Sequence, residues 1–256
     1  MKIKISACTA KGSHIENQDC LCATGLCPEQ TSFWADRKEV EVPFLYAAVS
    51  DGIGSGAESQ YLSQLACETF AKAVEAVPPI SLYDIPGGGE LHADLPYCGV
   101  LKGAHTVYDA LQTLHAEGGC TLTGCCLTAP APNPDPDVQP HTHFFSMASV
   151  GDSACFWYRP HRQVGEPVQL LNYPQNLFYR RKKEGLATSV FEKRILEAYL
   201  GMPAEKLERS RCIQVVTIDD VWPGDRFLLC ATAFMGSCRK HCSRSCWGCG
   251  GSPQTH

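Results

Sequence analysis

The chain has no apolar run near the ~20 residues that a membrane-spanning helix requires. Its start, Met1-Lys2-Ile3-Lys4-Ile5-Ser6, has no apolar core of signal-peptide length. These two absences predict a cytoplasmic protein that makes no use of a membrane. A basic excess is also lacking. The 22 Lys and Arg stand against 27 Asp and Glu, for a formal charge of −5, which is not the footprint of a nucleic-acid binder. No internal repeat is visible, and no acidic residue follows Asp225.

Cysteine, in contrast, is plentiful, with 16 in 256 residues. In a short secreted chain that count would read as a disulfide framework, but the length and the missing signal segment argue against it. Cys67, Cys126, Cys155 and Cys230 each sit within an apolar run, so they are expected to be buried thiols acting as small hydrophobes. A hydrophobic content of 44% and a charged content of 19% fit a soluble globular protein of one large domain or two small ones.

Alternation predicts a first strand over Lys2 to Ala7, and Cys20 to Ala23 and Phe44 to Val49 are further strands with a charged turn between them. Leu62, Leu65, Ala66, Phe70, Ala73, Val74 and Val77 recur at helical spacing and predict a helix over Glu58 to Val77, stopped by Pro78-Pro79. Pro86-Gly87-Gly88-Gly89 marks a loop insertion, and a second helix is expected over Gly99 to Ala116. Strands follow at Cys120 to Ala129, at Phe144 to Val150 paired as a hairpin with Ala154 to Tyr158, at Gln214 to Val221 and at Arg226 to Ala231. Between them lie a proline-rich connection over Ala129 to His143 and two short helices at Gln175 to Gly185 and Ser189 to Leu200. Many antiparallel strands with two long adjacent helices read as α+β layering.

Three carboxylates stand at the ends of these elements: Asp19, Asp51 and Asp152. Oxygen ligands at turns suit Mg²⁺ or Mn²⁺. Taken singly, each is an ordinary turn residue. Asp51 is the most informative of the three, because a buried strand runs into Ser50-Asp51-Gly52-Ile53-Gly54-Ser55-Gly56. Gly52, Gly54 and Ala57 also satisfy the spacing G-x-G-x-x-A of a dinucleotide fold. Against that reading, Asp51 would face an anionic pyrophosphate, and Glu75, the acid about twenty positions on, falls inside the helical pattern.

Gly12 with Asn17-Gln18-Asp19, then Val49-Ser50-Asp51-Gly52-Ile53-Gly54, Gly119-Cys120-Thr121-Leu122, Val150-Gly151-Asp152-Ser153 and Gly224-Asp225-Arg226-Phe227-Leu228-Leu229-Cys230 follow one another in this order. This succession resembles the motifs of the metal-dependent protein phosphatase 2C family, bacterial type. Asn176-Leu177, Gly185 and Arg194-Ile195-Leu196 to Leu200-Gly201 resemble that family's pair of short helices. The resemblance spans about residues 4 to 230. It implies an α-β-β-α sandwich of two antiparallel sheets flanked by helices, and a binuclear Mn²⁺ or Mg²⁺ centre at one end of the sheets. By position, Asp19 and Asp51 would be metal ligands, with Asp51 bridging, Gly52 offering its carbonyl, and Asp152 supporting a further, weaker metal. The implied reaction is hydrolysis of phosphoserine and phosphothreonine in a phosphorylated protein substrate by a metal-activated water. His14 stands where many members carry an arginine that holds substrate phosphate, and could do so when protonated.

The chain departs from the pattern after Cys230. Where the family has Ser-Asp-Gly, this chain has Ala231-Thr232-Ala233, and the last Asp of the family has no counterpart. A neutral hydroxyl is a poor substitute for a carboxylate on a hard dication, so the second metal is expected to bind weakly or not at all. The expected phosphatase-like domain is residues 1 to 234, lacking its C-terminal elements. Residues 235 to 256, rich in Cys, Arg and Ser, are expected to be foreign to the fold. Cys238, Cys242, Cys246, Cys249 and His241 could bind Zn²⁺, at a spacing that matches no standard module. A catalytically inactive pseudophosphatase that binds phosphoproteins is the competing expectation.

Overall fold

A computed structural model describes residues 1–10, 16–26, 33–42, 44–54, 57–76, 94–114, 118–128, 143–160, 165–206 and 212–231. The near-continuous apolar runs of the middle of the chain form the centre of a large antiparallel sheet, as expected of strands covered on both faces. It runs in the order β10 (Gln214–Val221), β7 (His143–Val150), β6 (Leu122–Thr128), β4 (Phe44–Ile53) and β2 (Asp19–Ala23), with the two-residue β5 (Gly119–Cys120) pairing the end of β4. A smaller sheet has the order β11 (Arg226–Cys230), β8 (Ala154–Tyr158), β9 (Val168–Leu170). β1 (Lys2–Thr9) and β3 (Phe33–Glu41) form a separate antiparallel ribbon.

Helices α1 (Ala57–Glu75) and α2 (Asp94–Leu114) cover one face of the large sheet. Their apolar stripes bury Leu62, Ala66, Phe70 and Val74 from α1 with Val100, Ala104, Val107 and Leu111 from α2, against Leu122, Ala148 and Val150 of the strands. Phe70 is fully buried because glycines make room for it. A Cβ on Gly124 of β6 would lie 2.4 Å from its ring, and one on Gly103 of α2 2.6 Å from it. The opposite face of the large sheet packs on the small one. There Phe145 of β7 stacks on Phe227 of β11 with ring centroids 3.8 Å apart, beside Met147, Cys125 and Cys155. The described residues thus build helices, large sheet and small sheet as three successive layers, which agrees with the α+β expectation. Cys67, Cys126, Cys155 and Cys230 are buried thiols as expected, and no described cysteine is disulfide-bonded. Burial pushes the Cys125 thiol up to about 12 and the Cys155 thiol well above its ordinary value. Among the described residues no helix is long and apolar enough to cross a membrane.

Several local expectations are corrected. The expected charged turn between β2 and β4 instead contains β3. α2 begins five residues before Gly99, because Pro96 falls in its first turn, where a missing N–H is tolerated. The second short helix is only a single 3-10 helix over Val190–Arg194.

The most consequential correction concerns Gly151-Asp152-Ser153. β7 and β8 are not paired as a hairpin: β7 pairs with β6 and β10, and β8 with β9 and β11. The segment is a corner where the chain leaves one sheet for the other. Gly151 makes the corner with φ of 96°, and a Cβ there would lie 2.7 Å from Thr121 Cγ2. Antiparallel pairing of β4 with both β2 and β6 also removes the dinucleotide-fold alternative, which needs a parallel βαβ unit. His14, the Gly87 to Gly89 insertion, the proline-rich connection from 129 to 142 and the segment 235 to 256 lie outside the described residues.

Candidate metal centre

Strand β4 does not stop at Val49 but continues through Ile53, so Asp51 and Gly52 lie within the ladder. Asp51 pairs across to Asp19 on β2, and Gly52 pairs across to Cys120 on β5. This register places two carboxylates directly opposite each other, an arrangement that is destabilising on its own. Burial, then the charge of Asp19 and a hydrogen bond with it, then the charge of Asp152, push the Asp51 carboxyl from its ordinary 3.8 up to about 8. Asp152 thus acts on Asp51 through charge, whereas Asp19 is also its direct cross-strand partner.

The backbone around the acids is held by hydroxyl and amide side chains. Asp51 N–H donates to Thr121 Oγ1 at 3.0 Å, and Thr121 N–H donates to Asp51 O at 2.8 Å. Thr121 Oγ1 in turn shares a 2.6 Å hydrogen bond with Ser153 Oγ, the residue next to Asp152. Ser50 Oγ donates to Thr121 O at 2.6 Å. On the other side, Gly52 N–H donates to Gln18 O at 3.0 Å, and Ser63 Oγ of α1 donates to the same oxygen at 2.6 Å. The position of Gly52 admits no side chain: a Cβ would lie 2.3 Å from Ser59 O and 3.0 Å from Gln18 O.

Asp152 is buried and accepts a 3.0 Å hydrogen bond from Asn176 Nδ2. Asn176 is also the N-cap of α3 (Leu177–Lys183), accepting from Tyr179 N–H at 3.2 Å. Its neighbour Gln175 accepts from Gly151 N–H at 2.7 Å and donates to Cys212 O at 2.8 Å. The corner carrying Asp152 is therefore clamped from the short-helix segment.

Of the expected site residues, the fold brings Asp19, Asp51, Gly52 and Asp152 to one end of the large sheet. Among the described residues no set of three or more His, Cys, Asp and Glu is arranged to hold a metal ion. The Asp19–Asp51 pair is an oxygen donor set of the kind that suits a hard divalent cation. Sequence reading gave no positioning role to Thr121, Ser153, Gln175 or Asn176. The available signal was polar residues inside otherwise apolar buried strands, and an Asn immediately before a short helix. Asp225, part of a matched motif, has a structural role: its side chain is 2% exposed and pairs with Arg159 at 2.7 Å.

No protein-family model matches the chain, and no curated protein matches its sequence. Solved structures do match. Stp1, a serine/threonine phosphatase from Staphylococcus aureus, superposes with a TM-score of 0.56 at 11% identity, covering 85% of this chain and 71% of that one. PppA of Pseudomonas aeruginosa, a regulatory component of its T6SS, gives 0.54 at 17% identity over 95% of this chain and 85% of that one. The catalytic domain of the serine/threonine phosphatase PstP, in complex with two manganese ions, gives 0.51 at 15% identity over 90% of this chain and 76% of that one. The layered sheets, the corner at Gly151 and the paired acids at the sheet end are thus set in the fold of the PPM-type, or phosphatase 2C-like, serine/threonine phosphatases.

Proposed function

We propose that the chain is a metal-dependent protein phosphatase that hydrolyses phosphoserine and phosphothreonine, with turnover held low by an incomplete ligand set. The observation that carries this reading is the Asp19–Asp51 pair, two facing carboxyls of which one is pushed up to about 8 by burial and by its acidic neighbours. A pair so arranged is relieved by a cation. Mn²⁺ or Mg²⁺ is the ion of choice for oxygen ligands, and PstP with its two manganese ions supports that choice.

Asp19 and Asp51 would hold the ion, with Gly52 contributing backbone at a position no side chain can block. Asp152, aligned by Asn176, would add negative charge for a second, weaker ion. When bound, such an ion supplies an activated water and neutralises the phosphoryl oxygens. His14 would bind the substrate phosphate when protonated. Residues 1 to 234 form the domain in this reading, and 235 to 256 stand outside it.

A second reading, a pseudophosphatase that binds phosphoproteins without turnover, is favoured by Ala231-Thr232-Ala233, in which a neutral hydroxyl stands where a carboxylate ligand is expected. Mn²⁺-dependent hydrolysis of a phosphothreonine peptide separates the two. Slow turnover abolished by Asp51→Ala supports the enzyme. Binding of Mn²⁺ and phosphopeptide with no turnover supports the pseudophosphatase. Failure of the protein to bind either Mn²⁺ or Mg²⁺ rejects both.

A further inference from the structure

Behind the acid-bearing end of β2, three thiols converge. Cys20 and Cys22, two residues apart on β2, share the strand face that packs on Cys67 of α1. Cys22 Sγ also donates to the Cys67 carbonyl at 3.4 Å. They line an open cleft of about 250 Å³ between β2, β4 and α1, bordered by Tyr46, Glu68 and Lys72. Their exposure differs. Cys22 and Cys67 are buried, whereas Cys20 is partly exposed. A small polar oxidant entering the cleft therefore meets Cys20 first, with Cys67 lining the same cleft.

We propose that Cys20 and Cys67 form a peroxide-sensitive thiol pair, a modification site that closes to a disulfide linking β2 to α1. The Cys20 sulfur attacks one oxygen of hydrogen peroxide. The O–O bond breaks, Cys20 becomes a sulfenic acid, and the other oxygen leaves as water with the thiol proton. The Cys67 sulfur then attacks the Cys20 sulfur. The S–O bond breaks, the departing hydroxide takes the Cys67 proton and leaves as a second water, and the disulfide forms. Two thiols give up two electrons and two protons, and one peroxide is reduced to two waters. Thiols of the type of Cys125 and Cys155, enclosed in the inter-sheet core, take no part. The site stands independently of whether the acidic centre turns over phosphate.

The experiment treats the fully reduced whole chain with one equivalent of hydrogen peroxide, blocks remaining thiols with an alkylating agent and maps the peptides by mass spectrometry. The expected result is a Cys20–Cys67 linked peptide lighter by two hydrogens, restored to two alkylated peptides by dithiothreitol. In Cys67→Ala, a sulfenic acid at Cys20 should instead be trapped by dimedone. The proposal is overturned if Cys20 and Cys67 are recovered alkylated while the exposed Cys8 and Cys98 have reacted. It is equally overturned if Cys20 is found linked only between two copies of the chain.

Discussion

Asp19 and Asp51 face each other across neighbouring antiparallel strands, and the charge of Asp19 helps hold the Asp51 carboxyl well above its ordinary value. A carboxyl raised from 3.8 to about 8 favours the folded state in its protonated form. Stability from this source is fully present below the ordinary carboxyl value and is lost as pH rises through about 8. The metal-free protein is therefore expected to melt at progressively lower temperature between about pH 4 and about pH 8. Thermal melts in EDTA across that window check this, and a flat profile would contradict it.

Asp51→Asn removes the repulsion without changing shape. At neutral pH the metal-free variant should be more stable than the parent, by on the order of a few kcal/mol for a shift of this size. It should also lose Mn²⁺ affinity. Chemical denaturation and Mn²⁺ titration of the same preparation measure both effects, and a variant less stable than the parent would show that the carboxyls do not oppose each other.

Cation binding at this pair should expel the proton that Asp51 holds near neutral pH. At neutral pH, close to one proton per Mn²⁺ is expected to be released. Calorimetric titrations in buffers of different ionisation enthalpy count it. Binding with no proton release would place the ion elsewhere.

Gly52→Ala should be damaging although it adds only a methyl group, because both atoms it meets, Ser59 O and Gln18 O, are backbone. A loss of about 1–3 kcal/mol is expected from such overpacking. Urea denaturation reads it, and a neutral result would mean that α1 can retreat from β4 at little cost.

Asp225 and Arg159 tie the end of β8 to the turn before β11. Arg159 Nε donates to both carboxylate oxygens, at 3.0 Å to Oδ1 and 3.2 Å to Oδ2, and its guanidinium lies 4.6 Å from the Trp157 ring centroid. Arg159→Ala leaves a nearly buried carboxylate behind and should destabilise by roughly 3 kcal/mol. Asp225→Asn with Arg159→Ala should recover part of that loss. A double-mutant cycle in urea tests the coupling, and additive losses would refute it.

How far the sequence could be read depended on the range of the interactions involved. The strand Ala154–Tyr158 was legible to the residue, because its bounds are set by local residue types. The strand β3 is not legible, because Asp36, Arg37, Lys38 and Glu39 look like a polar loop until the backbone pairing with β1 supplies the missing support. Val168–Leu170 is not legible either, since three residues carry no periodicity. The expected hairpin at Gly151-Asp152-Ser153 is a corner between sheets, because a tight glycine turn looks the same in sequence whether it joins strands of one sheet or of two. What separates those outcomes is the stacking of Phe145 on Phe227, a contact between strands far apart in the chain.

The amino-acid sequence by itself determined the order of the acids Asp19, Asp51 and Asp152, and that Thr232 rather than an acid follows the last strand. It also determined the α+β class, through the periodicity of its apolar residues. Only the tertiary structure decided that Asp19 meets Asp51, that Asn176 holds Asp152, and that Cys67 of α1 lines one cleft with Cys20 and Cys22 of β2. The physical reason is that residue type and local periodicity act over a few residues. Strand register and the crossing between sheets are settled only when distant segments compete to bury the same apolar surface, and the chemistry lies at those crossings.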